Sequence, residues 1–399
     1  MDIMPIAMEK TDLKRIAWID WMRVAACFLV MVVHATEIFY FGGEGTQVLS
    51  RADGWWVAFF DSLARACVPL FIVASAYLQF PVRYATGEFF RRRAKRVLIP
   101  FLVWTVVYAL LLGDPVQNFK DLLLNFNYAA GHLWFVYMLV GLYLIMPMLS
   151  PWAEKVGKRE LEVYLGIWLF TTLFPFIREW ATPGALTVVE GRAGLPNLAN
   201  YPLWGECSWN AYGVFYYLSG MIGYLLLGLY FRRFVGEWRW GKTLAVALPV
   251  WLAGFAICAS GFYARIAATG GGAFPVNGTV ADAARWEIPL LNDSLGTALM
   301  TIGWLLVFRK IGAEGGFFRK AVVPASEAGY GMYLSHMVVL SLVATPLVGW
   351  LGRGADGRLG PVWTTPVEIL GVAVLSFLGT ALACILLRRI PKLGKWIIG

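Results

Sequence analysis

Histidine is the side chain best suited to take and return a proton near neutral pH, and this chain has three, His34, His132 and His336. His34 stands apart because Glu37 follows at i,i+3, where one helical turn brings a carboxylate to one ring nitrogen and leaves the other free as a base. Arg23 precedes His34 by eleven residues, which at ~100° and ~1.5 Å per residue returns to nearly the same helix face ~16 Å along the axis. Asp20 lies at i,i+3 before Arg23. One stripe therefore carries a cation at one end and an imidazole at the other. His132 and His336 also fit histidines satisfied by a neighbouring helix. Asp61 and Arg65, at i,i+4, read as a buried pair that locks two helices or lines a cavity, and Asp293, beside Asn292, is placed to face the same cavity. The run Arg91, Arg92, Arg93, Lys95 and Arg96 suits phosphate binding through planar guanidinium groups, and equally suits anchoring to anionic lipid. A Walker-type loop, GxGxxG, HExxH, GxSxG and a Cys/His cluster are all missing from the sequence, so nothing supports ATP hydrolysis, dinucleotide redox chemistry or a metal site.

The elements that must hold these residues are membrane helices. The 399 residues are 59% hydrophobic and only 15% charged, against about 45–50% and about 25% in soluble domains. Apolar runs of about twenty residues, enough to cross ~30 Å of hydrocarbon, fall at 16–40, 55–80, 97–112, 132–150, 161–178, 212–231, 243–263, 288–309, 328–351 and 366–387. The first run is too long for a signal-peptide core and contains four ionisable side chains, so it reads as a membrane helix. Sorting the cations tests the count: 24 of the 34 Lys and Arg fall at the termini and in the even-numbered loops, eight in the odd-numbered loops, and Arg23 and Arg65 within spans. Cytoplasmic segments collect such residues. The expected fold is an all-α integral membrane protein of about ten transmembrane helices with both termini cytoplasmic, one polytopic domain over 1–399 with no fused soluble domain. The net charge of +9 is then a topology signal rather than a nucleic-acid footprint, and no nucleic-acid partner is expected. Four of the five cysteines, Cys27, Cys67, Cys258 and Cys384, sit in apolar runs as buried small residues, and Cys207 lies in a loop. The longest outward connections are 179–211 and 264–287. Tyr201, Trp204, Trp209 and Tyr212 gather at the end of the first, as an interfacial belt or as a platform for stacking sugar.

Five segments together resemble one family. Asp20-Trp21-Met22-Arg23 through His34 is similar to the first-helix signature of the membrane acyltransferase-3 family, bacterial O-acyltransferases of surface and periplasmic polysaccharides, in which Arg and His are separated by ten residues. Val68-Pro69-Leu70-Phe71-Ile72-Val73-Ala74-Ser75-Ala76-Tyr77-Leu78 resembles its second-helix motif. Arg93-Ala94-Lys95-Arg96 followed by Pro100 resembles its Arg-x-x-Arg motif, His132-Leu133-Trp134-Phe135 the start of its fourth helix, and Tyr330 to His336 its ninth-helix pattern. Ser75-Ala76-Tyr77 departs from the family's usual Ser-Gly-Tyr or Ser-Gly-Phe.

The resemblance implies transfer of an acyl group, acetyl or succinyl, from cytoplasmic acyl-CoA to a hydroxyl of a glycan or its lipid-linked precursor at the bacterial inner membrane. No cofactor is expected to be permanently bound, since acyl-CoA is a co-substrate, and the expected partners are the glycan, membrane lipids and glycan-assembly proteins. In residue terms it implies that Arg92, Arg93 and Arg96, with Arg23, hold the CoA phosphates. His34 deprotonates the acceptor or accepts the acyl group itself. Glu37 orients His34, and Asp20 fixes Arg23. Trp134 and the outer aromatics line the acceptor side, with Asp61, Arg65, His132, Asp293 and His336 as cavity residues. A reading from another class is a glycan or lipid-linked-sugar flippase whose buried charges line a pathway.

Overall fold

The computed structural model describes residues 15–40, 46–122, 128–181, 186–189, 192–196, 204–205, 212–352, 365–391 and 393–399. The protein is an all-α membrane protein, and nine helices among the described residues are long and apolar enough to span a bilayer. The first span is a single helix, α1 (Ala17–Glu37), and the second is α2 (Arg51–Ala64) and α3 (Cys67–Gln79), joined by a turn at Arg65 and Ala66. The third begins with α4 (Thr86–Arg93) and passes through a π-helical turn, Ala94–Leu98, into α5 (Ile99–Leu111), which a short α6 (Pro115–Asp121) follows. A 3₁₀ segment, Tyr128–Leu133, opens α7 (Trp134–Lys155), and the fifth span is α8 (Lys158–Thr171) with α9 (Phe174–Ala181). After α10 (Ile222–Arg233) come α11 (Trp240–Thr269), a short α12 (Val280–Trp286) and α13 (Leu295–Phe308). The ninth expected span is α14 (Val323–Val339) and α15 (Thr345–Gly352), the last is α16 (Thr365–Arg388), and α17 (Leu393–Ile398) closes the order. Two small antiparallel ribbons complete it, β1 (Thr46–Val48) with β4 (Val276–Gly278), and β2 (Leu186–Val189) with β3 (Arg192–Pro196).

Two expectations are corrected. The run 212–231 is not one spanning helix: a 3₁₀ turn, Gly213–Leu218, ends at Gly220, whose φ of 68° only glycine adopts readily, and α10 begins after it with twelve residues. Twelve residues cover ~18 Å, short of the hydrocarbon thickness. Nearly the whole circumference of α10 is buried, from Gly223 to Leu229, as expected for an interior helix. The basic cluster before the third span is likewise not a loop. Arg91, Arg92 and Arg93 form the last turn of α4, and Lys95 and Arg96 lie in the π turn.

Pro100 follows the π turn and has no N–H to give to the carbonyl of Arg96, which lets the helix widen there. The pattern recurs before α14, with Pro324 after the π turn Phe318–Val322, and before α15, with Pro346 after the π turn Leu340–Ala344. At the basic end of the bundle α17 folds against α5, α14 and α16. Trp104 Nε1 donates to the Ile397 carbonyl at 2.9 Å, and Gly331 lets Ile398 approach so closely that a Cβ would sit 2.3 Å from its Cγ2.

Candidate active site

His34 opens the last turn of α1, and its Nδ1–H donates to Glu37 Oε2 at 2.6 Å. A carboxylate can only accept, so the proton is on Nδ1 and Nε2 is left as the base. The other two histidines are brought to the same place from α14 and from the start of α7. The His34 and His336 rings lie 5.0 Å apart between centroids, His132 and His336 5.0 Å, and His34 and His132 6.5 Å. The three histidines of the chain therefore form one cluster.

Beside it, at the same end of the bundle, Arg65 makes a fork onto Asp61, with Nε 2.7 Å from Oδ1 and Nη2 2.9 Å from Oδ2. The same Nη2 donates to Glu287 Oε1 at 2.5 Å and to the Tyr40 hydroxyl at 2.9 Å. Glu287 and Tyr40 were not among the expected site residues. Glu287 lies 222 residues from Arg65, a pairing that no helical spacing signals. Asp293 takes no part: it accepts from the Tyr212 hydroxyl elsewhere, and Glu287 fills the position expected of it.

At the basic end, a cavity with about 290 Å³ of water-accessible space is lined by Arg23, Arg93, Arg96, Gln79, Tyr143 and Tyr333, among others. A second, of about 400 Å³, shares Arg23, Gln79, Arg93 and Arg96 and adds Arg15, Arg83 and Tyr84. Arg93 Nε and Gln79 Oε1 are buried without a hydrogen-bond partner among the described residues. A cation-rich cavity holding an orphaned guanidinium donor fits a polyanionic ligand with phosphate groups. The expected arginines divide. Arg93 and Arg96 line the cavity, whereas Arg92 is exposed, bound to Glu88 by Nη2 at 2.5 Å and laid over the Tyr84 ring at 4.2 Å.

Asp20 makes no hydrogen bond to Arg23 among the described residues and acts on it only through its charge. Its carboxylate takes a fork from Arg15, at 2.6 and 3.1 Å, and the Ser326 hydroxyl at 2.5 Å, while Arg23 turns into the cavity without a hydrogen bond among the described residues. Trp134, expected on the acceptor side, packs edge-to-face on Phe135 with centroids 6.3 Å apart, and Phe135 itself lines the arginine cavity and packs on Tyr333 at 5.2 Å. Of the outer aromatics, Trp204 packs on Phe170 and Phe174, and Tyr201, Trp209 and the loop cysteine Cys207 lie outside the described residues. Cys27, Cys67, Cys258 and Cys384 are buried and free. Among the described residues no group of His, Cys, Asp or Glu is arranged to hold a metal ion.

A family model described as an acyltransferase domain, type 3, matches residues 16–387, nearly the whole chain and every residue of the site above except Arg15. No curated protein and no solved structure matches the chain. The chain belongs to this acyltransferase family.

Proposed function

We propose that this member of the acyltransferase-3 family moves an acyl group, acetyl in the first instance, from acyl-CoA to a hydroxyl of a surface or periplasmic polysaccharide, or of its lipid-linked precursor, at the bacterial plasma membrane. The observation that carries the reading is the placing of the His34–Glu37 pair above an arginine-lined cavity on the same helix face. The basic end, by the distribution of Lys and Arg, faces the cytoplasm, where acyl-CoA is found. Arg93, Arg96 and Arg23 take the CoA phosphates, and the extended arm rises toward His34. The acceptor enters from the opposite end, past Arg65 and Glu287.

In the transfer, His34 Nε2 takes the proton of the acceptor hydroxyl as its oxygen attacks the thioester carbon. The C–O bond forms, the C–S bond breaks, and sulfur leaves with the electron pair. Glu37, held to Nδ1–H, stabilises the imidazolium, which then returns its proton to the thiolate. The products are the ester and free CoA. The thioester supplies the driving force.

The test uses the purified chain with [¹⁴C]acetyl-CoA and glycan extracted from the producing cells. Wild-type protein is expected to label the glycan and release CoA, and His34→Ala, still monodisperse, to do neither. Full labelling by His34→Ala, or no consumption of acetyl-CoA by the wild type, as expected of a flippase, would overturn the reading.

A further inference from the structure

Three helix faces lead from the arginine cavity to the histidine cluster. On α1 the face runs from Arg23 to His34, at the entry to α7 from Phe135 back to His132 in the 3₁₀ segment, and on α14 from Tyr333 to His336; the first residue of each pair lines the cavity and the second belongs to the cluster. Phe135 and Tyr333 are each three positions from their histidine, ~4.5 Å of axis along α14 and somewhat more across the 3₁₀ entry to α7. A thin chain seated in the cavity and extended toward His34 therefore passes His132 and His336 within one further turn.

What such a chain meets is set by hydrogen-bond accounting. His336 is completely buried, and its Nδ1 lies 2.6 Å from the Tyr333 carbonyl oxygen. A carbonyl only accepts, so Nδ1 carries the proton and Nε2 of the neutral ring is a bare acceptor. That Nε2 is buried without a partner among the described residues, and so is His132 Nε2. Buried acceptors of this kind are rare because each forfeits its hydration. The His336 acceptor beside the base, with the unpartnered His132 Nε2 next to it, calls for a ligand that brings N–H or O–H donors along the route from the cavity.

Building on the acyl-CoA reading above, we propose that His336, with His132 beside it, accepts hydrogen bonds from the amide N–H groups of the donor's pantetheine arm. The arm carries two such amides in sequence, the nearer separated from sulfur by a pair of methylenes. Clamping that amide on His336 Nε2 sets the thioester carbon beside His34 Nε2. His336 is thus the residue that measures the arm and selects donors having an amide at this distance from sulfur.

Two small donors separate this from a merely structural role: the acetyl thioester of N-acetylcysteamine, which keeps the amide, and S-pentyl thioacetate, of equal chain length without it. Each is measured both as acetyl donor and as competitor of acetyl-CoA. The wild type is expected to favour the amide compound on the order of 10- to 100-fold. His336→Leu should abolish the preference, and His336→Gln, whose side-chain carbonyl restores an acceptor, should recover part of it. The proposal is overturned if His336→Leu keeps the preference, if it slows both donors by the same factor, or if it changes only which acceptor hydroxyl is esterified. A wild type without preference in either readout overturns it with no variant needed. If the wild type labels glycan from acetyl-CoA while showing no preference, this proposal fails and the acyl-CoA reading stands; if acetyl-CoA itself is not used, both fail.

Discussion

The hydrogen bond from His34 Nδ1 to Glu37 decides which ring nitrogen is the base, and it is the contact most open to a conservative change. Glu37→Gln keeps an acceptor for Nδ1–H and removes the charge that steadies the imidazolium. We expect kcat to fall on the order of 10²-fold with the KM for acetyl-CoA unchanged, because Glu37 is not a lining residue of the arginine cavity; a shifted KM with normal kcat in steady-state kinetics would contradict the assigned role. Arg93→Ala with Arg96→Ala should have the converse signature. Loss of two charge-assisted contacts weakens acetyl-CoA binding by on the order of 10²-fold or more in calorimetry, and unchanged affinity would return both residues to membrane anchoring. The His34–Glu37 pair was legible because it lies within one turn. The hydrogen-bond partner of Asp20 was not legible because Arg15 reaches in from beyond the start of α1, and Glu287 was invisible because it meets Arg65 across the fold.

At the scale of elements, prolines shape the cavity wall. Pro100 widens the helix over Ala94–Leu98 and so sets Arg96 relative to Arg93. Pro100→Ala restores an N–H that can bond the Arg96 carbonyl and draw the π turn back toward α-geometry. We expect the KM for acetyl-CoA to rise severalfold with kcat little changed. Gly331→Val probes the packing of α17: the new side chain collides with Ile398, and overpacking of this kind costs about 1–3 kcal/mol, visible as a lower midpoint in thermal denaturation of the detergent-solubilised protein. Helix positions were readable from apolar runs of sufficient length. The ends were not, because Arg91 to Arg96 continue a helix that charge alone marked as loop, arginine being a good helix former. The interruption of 212–231 depends on the conformation of Gly220, which hydropathy does not register.

Across the whole molecule, three segments far apart in the sequence, α1, the 3₁₀ entry with α7, and α14, lead from a basic cavity to a histidine cluster. That each span holds one histidine was evident from the sequence; that the three meet was not, since packing between distant helices leaves no periodic mark. The proposed function brings the two substrates in from opposite ends, and that is the claim to test most directly. Proteoliposomes containing the wild-type chain are loaded with [¹⁴C]acetyl-CoA, freed of external nucleotide and given the extracted glycan outside. The account predicts label on the external glycan from the fraction of molecules whose basic end faces inward, and none with His34→Ala. Labelling that occurs only when acetyl-CoA and glycan share one side of the membrane would contradict it.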